Sequence, residues 1–231
     1  MRWLLLVGLA MLLWWSRPGE LLPPHWNPWQ PLSVDHPPTL VTQWKLARIG
    51  TDPEQCLAVL AAAPAGALDH LVLDDYTPVA ACPLTNVVRI RRTGVTFSAP
   101  FTVTCPVAVS WVMFERQALQ PKALELLGSN VTRIDHYGSF ACRNIYNREQ
   151  ARRSEHASAN AFDVAGFQLE DGTSVSVLRD WSDSNESGKA RFLREAHRAA
   201  CRYFGTVLGP DYNRAHADHF HLEGGGFGLC R

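Results

Sequence analysis

The sequence predicts an α+β fold held by disulfides, and three observations predict it. β-like and helical runs are mixed along the chain in the order such a fold uses. Residues 189–208 (KARFLREAHRAACRYFGTVL) read as an amphipathic helix with Phe192, Leu193, Ala196, Ala200 and Tyr203 on one side, ended by Gly209–Pro210. The cysteines Cys56, Cys82, Cys105, Cys142, Cys201 and Cys230 form an even set without a CxxC pair. That gives no support to a zinc ribbon or a thioredoxin motif, and reads as three disulfides in an oxidising compartment, with buried free thiols as the other reading. Six cysteines allow fifteen pairings. Cys56 with Cys82 is the expected first pair, because both lie in the N-terminal part.

The chain has 231 residues, 46% of them hydrophobic, which suits one domain or one domain with a small companion and excludes global disorder. Charges balance at 22 Lys+Arg against 22 Asp+Glu, so the basic surplus of a nucleic-acid binder is missing.

Residues 3–15 (WLLLVGLAMLLWW) are apolar all round, yet short of the roughly 20 residues a membrane span needs. They read as an export segment. No small-x-small cleavage site follows, and the paired Trp14 and Trp15 suit a membrane interface. Residues 1–16 are therefore expected to be either a cleaved signal peptide or an uncleaved inner-membrane anchor. Either one puts the remainder outside the cytoplasm, in the periplasm. Residues 17–50 open with a proline-rich stretch and are expected as a linker.

Residues 51–104 read as a small α/β region. A helix over 53–63 starts at Pro53, and two β-like runs follow, HLVLDDY and NVVRIRRTGVTF. The region 105–231 is expected to form the domain that carries a metal site. It opens with a helix from Pro106 to about Leu119, interrupted by Pro121. A strand over VTRIDHYGSF comes next, then a hairpin of FDVAGFQL and SVSVL around Asp171–Gly172. After the amphipathic helix, HFHLE is the last strand and GGGFG returns to loop.

Two segments hold the chemistry. SEHASANAFDVAGF carries His156 and Asp163; NRAHADHFHLE carries His216, Asp218, His219 and His221. On a strand, His219 and His221 project from one face and Phe220 from the other. His156, Asp163 and one histidine of the HxH pair would give a zinc site two nitrogens and a carboxylate oxygen, with a fourth position for water. Zinc lowers the pKa of bound water to about 7 and polarises a carbonyl. The remaining histidine would serve as base or stabilise the intermediate. Each residue also has an ordinary reading. His156 alone suits a hydrogen-bonded histidine, and Asp163, flanked by Phe162 and Val164, suits an ion pair with an arginine among residues 143–153.

These residues resemble known groups. SEHASANAFD is similar to the S-x-H-x-x-G-x-A-x-D motif of the D-alanyl-D-alanine metallopeptidases, with Ala159 at the glycine position. HADHFH is similar to the H-x-x-H-x-H of the penicillin-insensitive murein endopeptidases. More widely, residues from about 26 to 231 resemble the bacterial extensin-like C-terminal domain family, through NPWQPL, HYGSFACRNIY, RRSEHASANAFDVAGF, VLRDW, ACRYFGTVLGPDYN and DHFHL. The resemblance implies a hedgehog/DD-peptidase-like antiparallel sheet with flanking helices, and a zinc site. It implies His156, Asp163 and His221 as metal ligands, His219 as the catalytic histidine, and His216 and Ser154 as supporting residues. Asp218 falls where a catalytic Glu stands in the carboxypeptidases, one methylene shorter; on a regular strand it would reach the metal only at a bulge. Arg143 matches a substrate-binding arginine, with an ion pair to Asp163 or Glu155 as its other reading. Ala159 is tolerated if its turn avoids positive φ.

The expected function is a zinc-dependent peptidase-like protein acting on peptidoglycan or its peptide stems. The alternatives are a non-catalytic cell-wall or partner-binding module with the same site, or an inert disulfide-held domain whose His/Asp cluster is only a hydrogen-bonded network.

Overall fold

One nine-stranded sheet organises the protein, and eight of its strands run in the order β1 (Leu68–Val72), β4 (Val87–Thr93), β5 (Thr96–Thr104), β6 (Val131–Gly138), β7 (Ala161–Leu169), β10 (Phe220–Glu223), β9 (Thr206–Leu208), β11 (Leu229–Cys230). The ninth, β8 (Ser174–Ser176), pairs with the C-terminal half of β7. Pairing is antiparallel except between β5 and β6 and between β9 and β11. The chain is therefore mixed α+β with a large, mostly antiparallel sheet. β2 (Tyr76–Val79) and β3 (Cys82–Leu84) form a separate hairpin. The computed structural model describes residues 22–182, 187–225 and 228–231, with Trp3 and Gly8. The rest of the expected export segment lies outside the described residues, and among those described no helix is long and apolar enough to cross a membrane.

The helices are α1 (Leu40–Gly50), α2 (Pro53–Ala61), α3 (Cys105–Phe114), α4 (Gln120–Leu127), α5 (Val177–Asp180) and α6 (Gly188–Ala200). All residues of α3 are buried, because CPVAVSWVMF has no polar face. Its Trp111 meets Phe97 of β5 and Phe162 of β7, and Phe101 stacks on Phe162 at 4.1 Å. These contacts join residues 51–104 and 105–231 in one core and one sheet.

Three expectations change. The stretch read as linker contains a helix: Thr39 caps α1, Leu46 and Ile49 enter the core, and buried Lys45 donates to Pro24 O at 2.8 Å. Pro121 does not end the helical path. A π-helical turn over Glu115–Leu119 shifts the register, so Pro121 falls in the first turn of α4, where its missing N–H costs nothing. The amphipathic helix stops at Ala200, and Thr206–Leu208, with two β-branched residues behind Gly205, pairs with β10 instead.

The disulfide expectation is also corrected. Cys56 joins Cys105, Cys82 joins Cys142, and Cys201 joins Cys230, with no cysteine left free. These bonds tie α2 to the start of α3, the β2–β3 hairpin to the loop before His156, and the end of α6 to β11. Three disulfides suggest an extracytoplasmic location.

Candidate metal centre

His221 and Asp163 stand directly opposite each other in the β10–β7 ladder, and Gly138 of β6 flanks Asp163 on the other side. Phe220, Phe162 and Val164 point into the core, so the alternation that buries them turns His221 and Asp163 to the other face. His156 reaches the same point from a 3-10 turn (Glu155–Ser158) just before β7. Ser154 caps that turn by accepting from His156 N at 3.4 Å. Ala159 closes it at φ 55°, so the turn does take positive φ and the condition for an unstrained alanine is not met.

The ligating atoms of His156, Asp163 and His221 all lie within 4.8 Å of one another. His156 Nε2 is 3.1 Å from Asp163 Oδ2, and His221 Nδ1 is 2.8 Å from Asp163 Oδ1 and 3.1 Å from His156 Nε2. Both imidazoles are held from behind. His156 Nδ1 donates to the carbonyl of Ser139 at 3.1 Å, and His221 Nε2 donates to Glu223 Oε1 at 2.9 Å. A carbonyl and a carboxylate only accept, so the hydrogens sit on these outer nitrogens. The inner nitrogens and the Asp163 carboxylate then converge as acceptors, and a cation must lie among them: a proton or a metal. Without a metal, burial pushes the Asp163 carboxyl up, but bonds from His156 and His221 outweigh it and hold the group well below the usual carboxylate range. For His221, burial works against the charge and the bonds to Asp163 and Glu223 overcome it, raising its pKa.

The donor set fits zinc: two imidazole nitrogens and a carboxylate with outer-shell acceptors in place. In a tetrahedral site with bonds of about 2.0–2.2 Å, ligand atoms stand roughly 3.3–3.6 Å apart. The observed separations are shorter, so the cluster would open by about half an ångström around the ion.

Around this triad, His219 Nδ1 bonds Asp218 Oδ1 at 2.8 Å, which leaves Nε2 turned inward, 3.7 Å from Asp163 Oδ1. Asp218 lies in the turn before β10 and holds His219. His216, on a 3-10 turn (Arg214–His216), bonds Asn213 Oδ1 at 2.9 Å, and its ring lies 5.3 Å from His219 and 5.5 Å from His221. Burial, then repulsion from His221 and His219, pushes its pKa down to about 4, so it is neutral at pH 7. His216, His219 and His221 form a second group of converging ligand atoms that shares His221. Asp163 pairs with histidines and not with an arginine. The backbone of Arg143 accepts from Ser154 N at 3.1 Å, while its side chain makes no hydrogen bond or ion pair among the described residues, with Asp163 and Glu155 included.

Three partners were missed in the sequence. Glu223 is the third same-face residue of HFHLE, and the i, i+2, i+4 spacing could have found it. Tyr137 packs its ring edge on His219 at 5.7 Å. The Ser139 contact is a backbone carbonyl and leaves no trace in residue type.

Fold and cluster together define a disulfide-bonded α+β protein with a buried His/Asp cluster that could hold a metal ion. The family model for the extensin-like protein C-terminus matches residues 54–231, and the chain belongs to that family. No curated protein and no solved structure matches it.

Proposed function

We propose that the protein is a zinc-dependent, peptidase-like hydrolase of peptidoglycan peptides, working in the periplasm on a DD-peptidase type of sheet. The observation that carries this reading is the set of three facing acceptors, His156 Nε2, His221 Nδ1 and the Asp163 carboxylate, with both imidazoles fixed by acceptors behind them. Zinc held there supplies a Lewis acid and an activated water. His219, oriented by Asp218, takes a proton at Nε2, and Arg143 holds a substrate carboxylate through its guanidinium fork.

Metal analysis of chain purified without chelator, followed by digestion of purified sacculi, tests it. One zinc per chain with release of cleaved muropeptides is expected. His156→Ala and Asp163→Ala lose the metal; His219→Ala keeps it and loses turnover. Zinc without cleavage makes the protein a wall-binding module, and a chain without zinc ends both readings. Zinc loss in His219→Ala with retention in His221→Ala would overturn the assignment of that pair.

A further inference from the structure

A cavity of about 1220 Å³ is lined in part by residues that follow His156 and His221 closely in sequence. Ser158 and Asn160 line it, just after His156 in the 3-10 turn and its exit. Gly224 and Gly225 line it immediately after β10. Gly224 is three residues beyond His221, about 10 Å along an extended chain. None of His156, Asp163, His219 and His221 lines the cavity, so it is a compartment separate from the cluster.

Its walls have a specific chemistry. Trp26 and Trp44 contribute partly exposed indoles, at 44% and 48%. Arg48 stacks on the Trp44 ring at 5.7 Å from its centroid, which steadies the indole. Thr39, Gln43, Thr85 and Asn86 add hydroxyl and amide groups. Among the described residues no carboxylate and no lysine lines the cavity, and Arg202 is the single ionic side chain there. Indole faces mixed with neutral hydrogen-bonding groups match a ring with apolar faces and a hydroxylated edge, which is a sugar. The volume exceeds the roughly 300–1,000 Å³ of a small-molecule pocket, leaving room for several rings.

We propose that this cavity binds a neutral oligosaccharide, the glycan strand of peptidoglycan. The identity of the strand rests on the function proposed above; the preference for sugar rests on the cavity itself. The full chain, titrated by calorimetry with the β-1,4-linked hexamer of N-acetylglucosamine, is expected to bind it. Trp44→Ala and Trp26→Ala each weaken binding about tenfold, and Trp44→Phe recovers part of the loss. Both indoles are half exposed, and thermal melts of the variants separate any loss of fold from loss of binding. Asp163→Ala, which removes a metal ligand, leaves saccharide binding unchanged. Saccharide binding by a chain without zinc therefore keeps this proposal and ends the hydrolase reading, while zinc and cleavage without saccharide binding overturn this proposal alone. Binding that is equal in wild type and both alanine variants overturns it. So does concentration-dependent self-association lost in Trp44→Ala without saccharide binding, which assigns the cavity to a second copy.

Discussion

Glu223 accepts from His221 Nε2 and thereby decides which nitrogen of that imidazole faces Asp163. Outer-shell acceptors of this kind are worth 10–100-fold in metal affinity. Glu223→Ala is expected to weaken zinc by about that factor, read by competition with a chromogenic chelator; unchanged affinity would show that the imidazole is held by packing alone. Ala159 makes a different point. Its left-handed backbone costs about 1–2 kcal/mol in a non-glycine residue. Its methyl group is fully buried with Leu84 and Val87, and a buried methyl contributes about 0.8 kcal/mol. The buried methyl offsets much of the backbone cost, so alanine is tolerated in this left-handed turn. Ala159→Gly should change stability in urea melts by less than about 1 kcal/mol. Ala159→Val adds β-branched strain and overpacking, and should lose more than about 2 kcal/mol.

The helical path from Cys105 to Leu127 carries a buried carboxylate at its π-helical turn. Glu115 is 2% exposed and accepts from Trp111 Nε1 at 3.0 Å and from the Thr93 hydroxyl; Gly94 leaves room for it, because a Cβ there would collide with Oε1. Burial pushes its carboxyl up to about 7 against the bonds from Thr93 and Trp111. An unfolded glutamate titrates near 4.3. The folded chain holds this proton more tightly, so the stability it contributes is full below about pH 4.3 and falls as pH rises through 7. The loss by pH 8 is roughly 3 kcal/mol. Glu115→Gln removes this dependence, so the variant should gain on wild type in urea melts between pH 5 and pH 8. A difference that stays flat across that range would mean the carboxyl titrates alike in both states. Element boundaries elsewhere follow the same contest between local pattern and surroundings. The 3.6-residue periodicity over 189–200 is real, but Thr206–Leu208 continues it only in composition, and the free edge of β10 claims those residues.

At the scale of the whole molecule, what could be read in the sequence is what side-chain chemistry encodes locally. The two motifs hold His156, Asp163, His219 and His221 within short segments, so a shared site could be expected from the sequence, and the structure brings them together. Pairings over long separations were not legible. Cys56 and Cys105 lie 49 residues apart, and only the packing of α2 on α3 makes them neighbours. The sheet order likewise places β10 between β7 and β9, which no local pattern announces. This long-range construction gives metal binding at the His/Asp cluster a thermodynamic signature. Asp163 and His221 meet only when β7 and β10 pair, and His156 joins them only when its turn docks, so an unfolded chain has no such site. An ion that binds only the folded state stabilises it by about 2.7 kcal/mol at a hundred times its dissociation constant. For a chain of this size that is roughly 5–10 °C in melting temperature. Zinc added to chelator-treated protein should therefore raise the melting temperature by that amount, less at acid pH, where protons compete for the same nitrogens. Asp163→Ala should remove the rise. A wild-type protein whose melting temperature ignores zinc would leave the cluster a proton-bridged hydrogen-bond network.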